Sequence, residues 1–314
     1  MHPIFLYYPM DVPSKQIAEE PYPIFQEGDI YYFVIPALAE ETVQEMFHIG
    51  QYFHYYQWFH VLQPVFNNHH QLITPVGKEK YILCIASKKA PSFTADLAMF
   101  HQIGSMFPYQ LTTMNYYGKW KELWIQKLEQ HEAQYQKYMN HRPVHPILRE
   151  YMDFFPYVVG LAENAIQYLT AIEKRTSFNN NDQPTFTFGR YANQLNHDFI
   201  YISELVMDHP VRDIAEWIRP SLLLEYNSSE NQEMLAHFQT IQLSPFGRSL
   251  LFSRLLFPIH IFDSFEKLYE RNFEIQGVYH LPLEQFERYE KNLQHFFSTS
   301  IEQRETDSIQ LDWL

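Results

Sequence analysis

Glycine is scarce in this chain: there are 9 in 314 residues, and the nearest two, Gly104 and Gly118, stand fourteen positions apart. A loop that wraps a phosphate needs glycines within a few residues of one another. Only a backbone without Cβ lets successive N–H groups close on the anion. No G-x-G-x-x-G turn, no Walker loop and no G-x-S-x-G elbow can be written anywhere along the sequence. Nucleotide binding through a glycine-rich loop is therefore disfavoured from the outset.

What the chain has in place of glycine is aromatic bulk. Aromatic residues make up 17% of it and hydrophobic residues 46%, enough for a sizeable core in one large or two modest domains. Its 23 Lys+Arg face 37 Asp+Glu, a formal net charge of −14. That balance argues against nucleic acid as a partner, since displacing counterions from phosphates takes a clustered basic face. No apolar run approaches a membrane span of roughly 18–20 residues. The start, Met1-His2-Pro3-Ile4-Phe5, lacks the basic stretch and small-residue cleavage site of a signal peptide, so synthesis and residence inside the cell are expected. One cysteine, Cys84, leaves no intrachain disulfide and no cysteine-based zinc cluster.

The chain changes character near Ser87–Pro91. Before it, prolines at 3, 9, 13, 21, 23 and 36 punctuate the sequence. Asp29–Ile35 predicts a strand, Glu40–Tyr56 a helix, and the stretches 61–66, 71–75 and 81–86 three further strands. After it the pattern is helical: 93–106, 119–139, 145–155 and 158–172 with an interruption at Pro156, then 210–219, 230–240, 245–269 with a break near Pro258, and 282–297. Between 178 and 205 lie a polar loop and two short strand-like pieces, Thr185–Phe188 and Phe199–Leu205. The expected organisation is a strand-rich part over 1–87 and a helical part over 88–314 with a hairpin at 185–205.

Sixteen histidines raise the question of a metal. His48, His54 and His60 are six apart, which does not stack ligands on one helical face, and Pro143 interrupts the i,i+4 pair His141 and His145. No H-E-x-x-H occurs, so no metal site is expected. Cys84 sits in an apolar strand and reads as an inert buried thiol. The cluster from Gln51 to His60, with Tyr52, Phe53, Tyr55, Tyr56, Trp58 and Phe59, reads equally well as a sticky surface for partner proteins and as a helix end packed on a sheet.

A sharper signature runs from Phe186 to Ala215. Phe188-Gly189-Arg190 with Leu195 five positions on, then Ile202-Ser203-Glu204, then Asp213-Ile214-Ala215, follow the order of H-G-D-x-x-x-x-N, I-D-[FW]-[ED] and D-[LI]-A. In this the chain resembles the aminoglycoside phosphotransferase and choline kinase-like superfamily. With Leu97–Gly104 and Gly118-Lys119-Trp120 added, it resembles the endospore-coat branch, most of all its YutH-type spore coat-associated family, over roughly residues 25 to 300. The resemblance implies an α+β, bilobal protein-kinase-like fold, a place in the endospore coat, and coat proteins of unknown identity as partners.

The same resemblance shows what the chain lacks. In such kinases the loop Asp accepts the substrate proton, and the loop Asn and the strand Asp hold metal. Here Arg190 stands at the first position, Leu195 at the second and Ser203 at the third, while Asp213, which braces the loop in the family, is kept. The phosphate-pairing lysine of an early strand has no counterpart, because residues 16–77 contain no Lys or Arg and seven carboxylates: Glu19, Glu20, Glu27, Asp29, Glu40, Glu41 and Glu45. Like charges a few ångströms apart cost several kcal/mol at an effective dielectric of about 20, so such a segment repels a triphosphate. The expectation is a pseudokinase scaffold without catalytic residue, cofactor or metal, with Arg190 paired to a carboxylate such as Asp213 or Glu204. The alternatives are a phosphotransferase with relocated groups, metal on Glu204, Asp198 or Asp208 and phosphate on Lys78 or Lys80, or a small-molecule binder using the old cleft.

Overall fold

The structure, a computed structural model, describes residues 2–10, 15–19, 22–139, 146–175, 178–225, 228–270 and 281–300. By packing, the chain forms two units, Met1–Tyr117 with Pro184–Pro210, and Gly118–Gln183 with Val211–Leu314. The composition shift at 87 is thus not where the packing divides. Residues 88–117 and 184–210 share a core with the strands, and the reason is apolar: Phe100, Ile103, Phe186 and Phe188 are buried in the same cluster as Phe33 and Ile82.

The first unit is built on an antiparallel sheet of six strands: β1 (Lys15–Ala18), β2 (Ile24–Glu27), β3 (Ile30–Pro36), β4 (Gln63–Pro64), β5 (Ile73–Val76) and β6 (Glu79–Ser87). β3 pairs with β6 from Ile30 opposite Ser87 to Pro36 opposite Tyr81, and β4 and β5 share the other edge of β6. The β-branched and aromatic run Ile30–Ile35 suits a strand buried on both faces. Alternation sorts it: Phe33 and Ile35 face one cluster, Tyr32 and Val34 another. Helix α1 (Glu40–Tyr55) covers the first face with Val43, Met46, Ile49 and Phe53. A 3-10 turn, Pro3–Tyr7, covers the second with Ile4 and Phe5. Cys84 is wholly buried in β6, and burial pushes its thiol far up, which keeps it inert.

Helix α2 (Leu97–Ser105) lies against β7 (Thr185–Phe188), which pairs with β8 (Leu205–Asp208). The approach requires glycine. A Cβ on Gly104 would meet Thr185 Oγ1 and come within 2.6 Å of the Phe186 amide. The strand expected over Phe199–Leu205 is displaced. That stretch is a bridge at Ile200 and a 3-10 turn over Ile202–Glu204, and pairing begins only at Leu205, opposite Phe188.

The second unit is helical: α3 (Trp120–Met139), α4 (Pro146–Arg175), α5 (Val211–Leu222), α6 (Ser229–Phe238), α7 (Pro245–Leu256), α8 (Ile259–Glu270) and α9 (Leu283–Ser300). The break at Pro258 separates α7 from α8 as the sequence predicts. The interruption expected at Pro156 does not occur: α4 runs through it for 30 residues. Proline removes one backbone hydrogen bond, but Tyr151, Phe155, Val158, Ala162 and Leu169 are buried on either side of it in one core, and that continuous apolar face holds the helix. Ser244 caps α7, its Oγ accepting from the Gly247 amide at 2.7 Å and donating to buried Asp182. Among the described residues no helix is long and apolar enough to cross a membrane. His141 and His145 lie outside the described residues.

Candidate functional site

The loop between β7 and β8, residues 189–204, carries the positions at which the sequence reading looked for chemistry. It leaves β7 through Gly189, whose amide donates to the Glu204 carbonyl at 2.6 Å. Half-buried Arg190 follows, its carbonyl accepting from Gln194 Nε2 at 2.7 Å, while Gln194 Oε1 accepts from the Ala192 amide. Asn193 takes a left-handed conformation, φ 62°, and the chain turns into a short 3-10 segment, Gln194–Asn196. Within it Leu195 is buried in the sheet-side core.

Beyond Leu195 the loop is joined to the sheet strand end by strand end. The Leu195 carbonyl accepts from Lys89 Nζ at 2.6 Å, and the Asp198 carbonyl accepts from the Lys89 amide at 3.0 Å. The Asp198 carboxylate pairs with Lys88 at 2.9 Å, largely in solvent. Ile200 is held on both sides, its amide donating to the His60 carbonyl and its carbonyl accepting from the Leu62 amide, each at 2.9 Å. Aromatic contact fills the space these bonds enclose. The Phe199 ring lies 4.9 Å from Tyr31 and 5.0 Å from Phe33, and Tyr201 lies 5.7 Å from Phe33 and 6.1 Å from Tyr22.

The remaining candidates are scattered. Ser203 is exposed on the turn before β8, and so is Glu204. Partial burial lifts the Glu204 carboxyl above its ordinary value, against the pull of His197 and a hydrogen bond from Gln194. Asp208 is buried at the end of β8, where its Oδ1 accepts from the His209 amide at 2.7 Å. Asp213 is buried in the first turn of α5, in the second unit. Asp198 is committed to Lys88, and among the described residues no three His, Cys, Asp or Glu side chains converge on a common point.

Two lysines that the sequence reading passed over, Lys88 and Lys89, are cations that meet the loop. Lys78 and Lys80, considered there for phosphate, lie at the opposite end of β6. Seven residues of strand separate Lys80 from Ser87, roughly 23 Å at 3.3 Å per residue. Lys89 and Leu195 are 106 positions apart, so no local pattern announces their meeting.

Glu45, on α1, has gathered a dense set of donors. Its Oε1 accepts from the Thr112 amide at 2.6 Å and the Thr112 hydroxyl at 2.8 Å. Its Oε2 accepts from the Thr113 hydroxyl at 2.7 Å and the Met114 amide at 2.9 Å. Partial burial works to raise this carboxyl, but the hydrogen bonds from Thr112 and Thr113 prevail and hold it down at about 2.

A family described as "Spore coat putative kinase YutH" matches residues 3–300 of the chain. The chain belongs to this family. It is 30% identical over 274 residues to the endospore coat-associated protein YutH of Bacillus subtilis strain 168, a match covering 83% of this chain and 81% of that one. Among solved structures it is similar to an aminoglycoside phosphotransferase from Alicyclobacillus acidocaldarius, with a TM-score of 0.57 at 11% identity over 95% of this chain and 94% of the other. It is also similar to a spectinomycin phosphotransferase seen with ADP and spectinomycin, with a TM-score of 0.51 at 12% identity over 95% and 96% of the two chains. At such identities the likeness concerns the fold, which is α+β and aminoglycoside phosphotransferase-like, as the YutH-type signature implied.

Proposed function

We propose that this protein is a scaffold of the endospore coat that keeps a kinase-like fold and has lost phosphoryl transfer. One observation carries the reading: the loop that would hold the chemistry is tied to the sheet. Leu195 is buried where a metal-holding amide would stand, its carbonyl is taken by Lys89, and Phe199 and Tyr201 pack on Tyr31 and Phe33. Arg190 stands in the place of the base, and a guanidinium stays protonated at any physiological pH. Ser203, in the place of a metal ligand, carries no charge for a divalent ion. Residues 16–77 of the same unit bring seven carboxylates and no Lys or Arg.

The relative's description as endospore coat-associated supports the same location here, with coat proteins as partners. The test is a thermal melt of the full chain with ATP and Mg²⁺. No change in Tm is expected across the titration. A saturable rise would mean that a nucleotide binds the folded state and would overturn the reading.

A further inference from the structure

Where α1 gives way to β4, two histidines are packed against the main chain that holds the loop. The helix closes on Gln57 in the left-handed conformation, φ 64°, and the Trp58 amide donates back to the Phe53 carbonyl at 3.0 Å. That turn carries Trp58 and His60 inward, to 1% and 3% exposure. The His60 ring stacks on Trp58 at 5.5 Å and meets Phe93 at 4.8 Å. Its Nε2 is closed off from solvent and has no hydrogen-bond partner among the described residues. His54, on α1, donates from its Nε2 to the Val61 carbonyl at 2.7 Å. A neutral imidazole can occupy such a place, but an imidazolium brings a charge and a second N–H that find nothing to pair with.

The residue with the buried ring is also the residue that grips the loop. The His60 carbonyl accepts from the Ile200 amide, the Leu62 amide donates to the Ile200 carbonyl, and Val61 between them forms a bridge with Ile200. The Phe59 carbonyl accepts from the Ser87 amide at 2.7 Å, which ties the same turn to the end of β6. Just beyond that end, Lys89 holds the carbonyls of Leu195 and Asp198. Charges around the ring do not invite a proton. Lys89 after β6 and His54 on α1 both oppose one on His60, and the loop's Asp198 carboxylate is paired with Lys88 in solvent. Phe93, from the segment ahead of α2, brings no charge. Burial, with Lys89 and then His54 adding to it, lowers the His60 imidazole from an ordinary 6.5 to about 4.

We propose that His60 is an acid-operated catch on the loop. When its buried ring takes a proton from solvent, the turn lets go of Ile200, the segment 195–202 leaves the sheet, and Phe199 and Tyr201 come into water. In the released state the ring is hydrated and titrates at its ordinary value. The closed state is therefore fully favoured above pH 6.5, loses ground by about tenfold per pH unit below it, and has lost the whole contribution by pH 4. The catch belongs to the first unit alone and stands apart from whether the protein transfers phosphate.

Hydrogen–deuterium exchange of the full chain tests this, followed by mass spectrometry on peptides spanning 58–62 and 195–202 and corrected for the intrinsic effect of pH on exchange. Between pH 6.5 and 4.5 the protection of these peptides is expected to fall roughly tenfold per pH unit, while peptides from β3 keep theirs. His60→Phe keeps a ring against Trp58, and His60→Gln keeps a polar side chain without a titrating group. Both are expected to show level protection over that range, and the second serves where the first packs too poorly to fold. A flat profile in the parent, or the parent's slope persisting in the folded variants, overturns the inference. So does a loss of protection shared equally by β3, since acid would then melt the unit and not release the loop.

Discussion

Glu45 joins α1 to the segment that follows α2 through a single carboxylate, and its protonation can be read as stability. With the folded carboxyl held at about 2, against an ordinary 4.5, the contribution is fully present above pH 4.5 and is lost as pH falls toward 2. Glu45→Gln keeps the shape but gives up the charge, so it should cost about 1–2 kcal/mol at neutral pH, the lower end applying because the site is partly open to water. Melting curves at descending pH check this: parent and variant should converge as pH drops below 4, and a constant gap would count against it. His131 behaves oppositely in chemistry and alike in sign. It is buried, stacks on Phe262 at 4.3 Å and shares a hydrogen bond with the Tyr269 hydroxyl at 3.0 Å. Burial lowers it to about 4, Lys127 adding to the effect and Glu266 opposing it. Its contribution is therefore intact above pH 6.5 and declines as pH falls through 4. His131→Phe should flatten the pH dependence of Tm between those values, and an unchanged slope would assign the acid sensitivity to other groups. Neither role shows in the sequence, because both depend on partners more than sixty positions away.

At the level of elements, legibility followed how much of the signal was local. β3, β7 and the helices α3, α5 and α9 stand within a few residues of their expected positions, because apolar periodicity repeats inside each of them. β1 and β2 were not foreseen. Prolines 9, 13, 21 and 23 surround them, and their strand character comes from pairing, Ile24 opposite Phe33 and Phe25 opposite Tyr32. The hairpin after β7 was expected to close at 199 and closes at 205, since the apolar run Phe199–Ile202 packs against the sheet instead of pairing with β7. Gly104 marks a place where two elements are tightly bound to one another. Gly104→Ala places a methyl within 2.6 Å of the Phe186 amide, so helix and strand must separate. Despite the better helix propensity of alanine, a net loss of about 1–3 kcal/mol is expected. Chemical denaturation should show a lower midpoint with an unchanged m-value, and a stabilised variant would mean that the α2–β7 contact yields without cost.

Across the whole molecule, charge and loop anchoring point the same way, and restoring motif residues tests them together. On the proposed reading Asp213 is a kept position and Arg190, Leu195 and Ser203 are altered ones; their surroundings are not written in the sequence. A substitution pattern says which group has gone and not what fills its place. On that reading the place is filled by Leu195, 2% exposed within an apolar cluster, and the loop is fixed by the bond from Lys89 to the Leu195 carbonyl and the bond from the Ile200 amide to the His60 carbonyl. The triple variant Arg190→Asp, Leu195→Asn, Ser203→Asp writes the kinase-type residues back. Its Leu195→Asn change would bury an amide where a leucine packed, at about 2–3 kcal/mol in lost transfer energy and more if the amide finds no partner. Two added carboxylates and one lost cation make a unit already short of cations more repellent to a triphosphate. No lysine between 16 and 77 and no glycine-rich loop would receive the phosphates. The variant should therefore melt several degrees lower, at about 2–4 °C per kcal/mol for a chain of this size, and should release no phosphate from ATP with Mg²⁺ above an Arg190→Ala control. Magnesium-dependent turnover by the triple variant would mean that three side chains alone separate this fold from catalysis, and that the tied-down loop is no obstacle to it.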